Sequence, residues 1–119
     1  MGMPIPTIGD IYSADLPYEV NVQSGKRPVI IAQNNLGNKH SPTVHVIPLT
    51  TNMSKAESQA THVVILADEK NGLAYNSVAL IENLRPIPMK LLLKKIGSIN
   101  QLDRRRLGNA IRVQLPFVG

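Results

Sequence analysis

The sequence predicts an antiparallel α+β fold, and three observations support this prediction. The chain has 119 residues, which suits one ordinary domain and is too short for two. Several short apolar segments lie between turn signals of Gly, Pro and Asn, as β-strands do. Helical periodicity comes only after these segments instead of alternating with them, which argues against a βαβ sheet. We therefore expect a single domain over residues 1–119, with the Pro-rich residues 1–8 extended or mobile.

The strand predictions follow the apolar runs in chain order. The first run comes after Gly9 and ends at Pro17, and the second begins after Pro28, because a proline can open a strand at little cost. The third run contains Pro48, which predicts a sheet edge or a bulge there. The predicted strands cover residues 11–16, 29–34, 43–50, 61–66 and 77–82, and the predicted loops include residues 17–26 and 35–42.

Two helices are predicted near the C-terminus. The apolar residues of the first recur at i, i+3, i+4 and i+7, with lysines on the other side; they are Met89, Leu92, Leu93 and Ile96. Gly97 is a natural stop for this helix. Asn100 and Asp103 then resemble a capping box, which begins a final helix that ends near Pro116.

The composition favours a polyanion as partner. Lys and Arg number 13 against 8 Asp and Glu, which gives a net charge of +5. The chain has only three Tyr and one Phe and no Trp, so we do not expect bases to stack on an aromatic platform. The lack of cysteine excludes disulfides, thiol nucleophiles and thiolate zinc sites. A bound nucleic acid would then be held by charge, hydrogen bonds and shape.

The sequence predicts a soluble, cytoplasmic protein that does not enter a membrane. Its longest apolar runs, residues 63–67 and 77–81, are far shorter than the roughly 20 residues of a bilayer-spanning helix. The N-terminus has neither the basic region nor the apolar stretch of a signal peptide.

No metal or nucleotide site is predicted. The histidines His40, His45 and His62 are not spaced as metal ligands, and a half-buried strand position for His45 and a loop position for His40 are the simpler interpretation. The sequence has no glycine-rich phosphate loop and no serine nucleophile elbow. We therefore expect neither a metal nor another cofactor.

Basic and hydroxyl side chains near the predicted strand ends are the remaining candidates for chemistry. Arg27 stands before the second strand, Thr50 ends the third, and Arg85 follows the strand over residues 77–82. An arginine run at residues 104–106 lies on the predicted last helix, where it forms either a solvated face or a contact for phosphate. The residues alone leave both interpretations open.

A series of short motifs occurs in a fixed order between about residue 8 and residue 97. The segments are residues 9–16 (GDIYSADL), 27–34 (RPVIIAQN), 37–38, 41–43, 48–51 (PLTT), 61–63 (THV) and 77–85 (SVALIENLR). Each is weak alone, but together they resemble the MazF/PemK-type toxins, the endoribonuclease half of type II toxin–antitoxin pairs. The C-terminal helix matches only in character.

This resemblance implies a small SH3-like β-barrel with short helices and a C-terminal helix. It implies a homodimer that cleaves single-stranded RNA at specific sequences without a metal or another cofactor. It also implies a cognate MazE-like antitoxin whose acidic tail covers the RNA groove, and whose complex with the toxin binds DNA. Pro48 and the apolar residues 89–96 would add apolar surface suited to a dimer.

The resemblance places the catalytic pair at Arg27 and Thr50. RNA is cleaved when its 2′-hydroxyl attacks the adjacent phosphorus, so a protein must orient the attack and stabilise the added negative charge. A guanidinium can donate two parallel hydrogen bonds to phosphate, and a threonine hydroxyl can donate one more. A guanidinium is a poor general base at neutral pH, so we expect Arg27 to act electrostatically. The RNA-binding residues expected by the same resemblance are Gln23, Ser24, Gly25, Lys26, Thr51, Asn83 and Arg85.

The chain departs from the family pattern at positions that would contact RNA. The loop before Arg27 carries Val22 where the family often has Glu, and Ser24 where it often has Gly. Asn83 stands where Gln is common; its shorter amide can still read a base edge, or it can be a simple turn residue. These changes predict an altered base preference.

Two other functions remain open from the sequence. Some proteins of this fold poison DNA gyrase through their C-terminal helix and do not cleave RNA, although such a protein has no need of Arg27 and Thr50. An inactive relative that only binds its antitoxin is the other alternative.

Overall fold

The computed structural model describes residues 5–18, 24–56 and 59–118. The strands in these ranges are β1 (Asp10–Leu16), β2 (Gly25–Ile31), β3 (Thr43–Thr50), β4 (His62–Ile65), β5 (Ser77–Leu80), β6 (Arg85–Pro88) and β7 (Leu92–Ser98). The helices are α1 (Asn35–His40) and α2 (Gln101–Gln114), with single 3-10 turns at Met53–Lys55, Ile81–Asn83, Met89–Leu91 and Pro116–Val118. This order confirms the predicted α+β class.

All the strands pair antiparallel in one seven-stranded sheet of order β4-β5-β3-β2-β1-β7, with β6 added beside β3. β6 pairs with the first half of β3, and β5 pairs with its last two residues. Pro48 lies between these two ladders and is buried, so its missing N–H falls in a gap and not at a sheet edge. The matching folds reported below confirm the predicted fold type, while closure of the sheet into a barrel stays a prediction.

The helix predicted over residues 89–96 is wrong. Met89–Leu91 forms one 3-10 turn, and the chain then continues as β7, which pairs with β1. Leu92 is buried there, whereas Leu93, Lys94 and Lys95 are exposed, so only part of the apparent helical stripe faces the core. The edge of β1 supplies backbone partners that the local pattern does not reveal. The apolar surface expected from this helix and from Pro48 therefore gives no argument for a dimer.

The interval 35–42, predicted as a loop, contains the short helix α1. Asn34 caps it, since its side-chain oxygen accepts a hydrogen bond from the Gly37 N–H at 2.8 Å. His40 is the last residue of α1, and His45 is exposed on β3 and not half-buried as expected.

Alternate residues of β1, β2 and β3 face two different cores. The helix-side core contains Ile11, Ile30 and Ile47 and is covered by Leu107 and Ala110 of α2. The opposite core lies on the other face of the same strands; it contains Tyr12, Ala14, Leu16, Val29, Ile31, Val44, Val46, Ile87 and Leu92. The period of two along a strand thus assigns each side chain to one core or the other.

The last helix begins where the sequence predicted. The Asn100 side chain accepts a hydrogen bond from the Asp103 N–H at 2.8 Å, which confirms the cap. In the described ranges, α2 and the other helices are all too short or too polar to cross a membrane.

Candidate active site

The two residues expected to be catalytic lie on the neighbouring strands β2 and β3. Val29 pairs with Pro48 and Ile30 with Ile47. This pairing ends at Val29 and Pro48, two positions short of Arg27 on β2 and two positions short of Thr50 on β3. Side chains an even number of positions apart on a strand point to the same face, so Arg27 shares the face of Val29 and Thr50 that of Val46, and both of these belong to the opposite core. Arg27 and Thr50 therefore lie on the same face of neighbouring strands, past the last paired residues.

Arg27 is held by the loop before it. Its Nε–H donates to the Ser24 carbonyl at 3.0 Å, which fixes the plane of the guanidinium. Partial burial lowers the pKa of the Arg27 guanidinium from its usual value, yet an arginine stays charged at neutral pH. Nε is engaged, and Arg27 makes no other side-chain hydrogen bond within the part of the chain that the structure describes, so both Nη groups can donate to a phosphate.

Thr50 is buried and oriented at the end of β3. Its Oγ1 accepts a hydrogen bond from the Asn52 N–H at 3.2 Å, and Asn52 in turn caps the 3-10 turn at Met53–Lys55 through the Ser54 N–H. Because Oγ1 acts as the acceptor there, the hydroxyl hydrogen remains to be donated. The side chain thus offers one further donor next to Arg27.

The loop residues expected to bind RNA lie beside Arg27. Ser24 supplies the carbonyl that Arg27 binds, and Lys26 is exposed opposite Asp15 of β1. Gly25 has a φ of +79° and open space around it, a backbone conformation that L side chains rarely adopt. Gln23 lies outside the described residues.

The three other residues expected to contact RNA differ in how exposed they are. Thr51 is exposed directly after Thr50, and Asn83 is partly exposed at the end of the 3-10 turn Ile81–Asn83. Arg85 is buried, with 8% of its surface exposed, and its Nη2 donates to the Pro17 carbonyl at 3.0 Å. Its guanidinium therefore binds the protein at the end of β1.

Sequence reasoning missed a contact between the buried His62 and the partly exposed Glu82. The His62 Nδ1 donates to the Lys55 carbonyl at 2.7 Å, and its Nε2 contacts the Glu82 carboxylate. The pair joins the 3-10 turn that follows Thr50 to the turn that ends at Asn83. The sequence gives one sign of this contact: His62 and Glu82 lie within the family motifs at residues 61–63 and 77–85.

The carboxylates and histidines are not gathered into a cation site. In residues 5–18, 24–56 and 59–118, no group of three or more His, Asp or Glu side chains is arranged to hold a metal ion. Asp10 is paired with Lys95 and Asp103 with Arg106, so two buried carboxylates already have basic partners.

Comparisons with known proteins identify the family of this chain. Residues 7–115 match the sequence profile of the PemK-like, MazF-like toxins of type II toxin–antitoxin systems. The chain is 40% identical over 108 residues to the endoribonuclease MazF of Staphylococcus epidermidis, covering 90% of this chain and 88% of that protein.

Solved structures share the fold. The Mycobacterium tuberculosis toxin MazF-mt6 has a TM-score of 0.72 and 28% identity, covering 90% of this chain and 96% of that one. A mycobacterial endoribonuclease in complex with its cognate antitoxin has a TM-score of 0.74 and 23% identity, covering 96% of both chains. The profile match spans most of the sequence and the curated relative exceeds one-third identity. The chain therefore belongs to the PemK-like, MazF-like toxin family of type II toxin–antitoxin systems.

Proposed function

We propose that this protein is a sequence-specific endoribonuclease that cleaves single-stranded RNA without a metal ion. The observation that carries the proposal is that Arg27 and Thr50 lie on the same face of the neighbouring strands β2 and β3. The similarity to the Staphylococcus epidermidis endoribonuclease MazF supports it.

The proposed reaction uses the RNA's own nucleophile. The 2′-hydroxyl oxygen attacks the adjacent phosphorus, the bond from phosphorus to the 5′-oxygen breaks, and the 2′-hydroxyl proton leaves as the 5′-oxygen gains one. The products are a 2′,3′-cyclic phosphate and a 5′-hydroxyl. Both Nη groups of Arg27 and the Thr50 hydroxyl donate to the phosphoryl oxygens, where negative charge grows during the attack. Fixed donors at this point lower the barrier because they need no reorganisation.

The neighbouring residues would select and hold the RNA. Ser24, Gly25 and Lys26 would contact the RNA on one side, and Thr51 and Asn83 would contact it on the other. Asn83 offers an amide for base edges, and Lys26 offers a charge for the backbone. Arg85 enters this proposal as a positioning residue, since its guanidinium binds the Pro17 carbonyl.

We also propose that a MazE-like antitoxin controls the activity and that the active form is a homodimer. A related mycobacterial endoribonuclease is known in complex with its cognate antitoxin, and MazE–MazF is known from Deinococcus radiodurans. Leu102 and Phe117 are exposed apolar side chains near the two ends of the C-terminal region and would suit a protein contact. Action on cellular RNA would place the protein in the cytoplasm.

An Arg27→Ala variant tests the function directly. Sequencing the 5′ ends of fragments from an RNA pool first identifies the target. On that target, Arg27→Ala should cleave about 10²–10³-fold more slowly, or about 3–4 kcal/mol in transition-state stabilisation. Lys90→Ala removes one exposed charge elsewhere and serves as the control, with cleavage expected near the wild-type rate.

The substrate supplies the second arm of this test. A single 2′-deoxy nucleotide at the cleaved position should abolish cutting, because the attacking hydroxyl is gone. Equal rates for wild type and Arg27→Ala would contradict the proposed site. Continued cutting of the 2′-deoxy RNA would contradict internal attack. Absence of any RNA cleavage together with binding of gyrase would favour the non-catalytic alternative.

A further inference from the structure

The arginine run on α2 divides into two kinds of side chain. Arg106 turns inward, and its Nη1 donates to the Asp103 carboxylate at 2.8 Å and to the Val64 carbonyl at 2.7 Å. Arg104 and Arg105 are exposed and make no ion pair with a described residue. The contact that neutralises one member of the run therefore leaves the other two charged towards solvent.

Arg112 joins these two on the same exposed surface. Its Nη1 donates only to the neutral Asn109 amide oxygen, at 3.0 Å. Arg104, Arg105 and Arg112 surround a shallow depression of about 330 Å³ whose floor is Gly108 and Asn109. We name this surface, with its five residues, the α2 basic face. The lack of a side chain at Gly108 leaves the space between the guanidiniums open.

The chemistry of the α2 basic face favours a phosphate backbone. Its own lining is arginine, glycine and asparagine, and an apolar cavity of about 230 Å³, lined by Ile8, Ile99 and Ile111, adjoins it at Arg104 and Gly108. The guanidiniums of the face itself therefore have only charge and hydrogen bonds to offer. Arg104 and Arg112 are about 12 Å apart along the helix axis, a span that covers several phosphates of a nucleic acid strand. We propose that the α2 basic face is a second, sequence-independent binding surface for the backbone of single-stranded nucleic acid, separate from the candidate active site.

The position of the face makes this a distinct site. Arg104 lies against Gly9, whose N–H donates to the carbonyl of Ile31, the last residue of β2. Arg27 lies about 13 Å away from Ile31 along that strand, and its side chain is on the face opposite α2. A few nucleotides at the active site therefore cannot reach the α2 basic face, whereas a long RNA can bind both.

Binding of an uncleavable probe tests the proposal whether or not the protein cleaves RNA. The probe is an oligodeoxythymidylate of about 20 nucleotides, which has phosphates but no 2′-hydroxyl. A plot of log affinity against log salt concentration falls with a slope whose magnitude should be smaller by about 2 in the variant R104Q/R105Q/R112Q. Three phosphate contacts are lost, and each contact on a single strand contributes about 0.7. If the two proteins bind equally at 1 M salt, this change of slope makes the variant bind about 100-fold more weakly than wild type at 0.1 M salt.

A matched control removes the same charge elsewhere. Lys39, Lys70 and Lys90 are exposed and lie outside both sites, so K39Q/K70Q/K90Q should change the slope much less. Glutamine forms helices nearly as well as arginine, so α2 should persist in the test variant, and a thermal melt checks this. In the arginine variant, a long RNA substrate should be cleaved with a raised KM and an unchanged kcat. A short RNA substrate should be cleaved with the wild-type KM and kcat.

Two results would overturn the proposal. The first is a slope that stays at the wild-type value in R104Q/R105Q/R112Q or falls equally in the lysine control. The second is polyglutamate binding to the face more tightly than the oligodeoxythymidylate, which would make an acidic protein segment the partner.

Discussion

The arginine on β2 and the exposed arginines on α2 have different surroundings and different expected roles. Arg27 is partly buried, held at Nε by the Ser24 carbonyl, and lies on the strand beside the one that carries Thr50. Arg104 and Arg105 are exposed on a helix and held by no ion pair with a described residue. A guanidinium fixed in one orientation can stabilise a transition state, whereas a mobile one can only attract a polyanion. The comparison shows that orientation, and not the density of charge in the sequence, distinguishes a candidate catalytic arginine.

Beyond Arg27→Ala, the largest expected effect on cleavage comes from removing the Thr50 hydroxyl. Thr50→Val keeps the shape of the side chain but removes the hydroxyl, both as a donor to the phosphate and as the acceptor for the Asn52 N–H, so cleavage should slow by about 10²-fold. Thr43→Val makes the same change at the exposed start of β3 and is the control. Single-turnover cleavage of the target RNA measures both. An equal loss in the two variants would show that the strand and not the Thr50 hydroxyl matters.

A smaller effect distinguishes the three consecutive arginines of α2. Arg106→Gln leaves the buried Asp103 carboxylate without its basic partner, so the free energy of unfolding should fall by about 1–3 kcal/mol. Arg104→Gln and Arg105→Gln should each change it by less than about 0.5 kcal/mol. Thermal melts should show the difference as a shift of about 4 °C for each kcal/mol. Similar melting-temperature shifts in all three variants would contradict the conclusion that only Arg106 makes a stabilising contact within the protein.

The sequence carries the local part of the fold well. Strands β1, β3 and β5 begin and end near the predicted residues because alternation and turn residues specify them locally. The cap at Asn100 also follows from two neighbouring side chains. Residues 92–98 could not be predicted in this way, because their apolar spacing fits a short helix as well as a strand. Only the edge of β1, about 80 positions earlier in the chain, decides between them.

The candidate site shows the same limit. Arg27 and Thr50 were found through the resemblance to a family, and their roles remain a prediction. The contact between His62 and Glu82 joins residues 20 positions apart, and neither is part of a spacing rule. The inward turn of Arg106 depends on the Val64 carbonyl, 42 residues away. Long-range contacts of this kind are determined by packing, so the local sequence does not specify them.

A double-mutant cycle on Arg27 and Thr50 tests the central claim most directly. Single-turnover cleavage rates are measured for wild type, Arg27→Ala, Thr50→Val and the double variant on the same target RNA. If both side chains stabilise one phosphoryl group, the loss in the double variant should be well below the product of the single losses, with a coupling energy of about 1–3 kcal/mol. Losses that multiply fully would contradict a shared site at the end of β2 and β3.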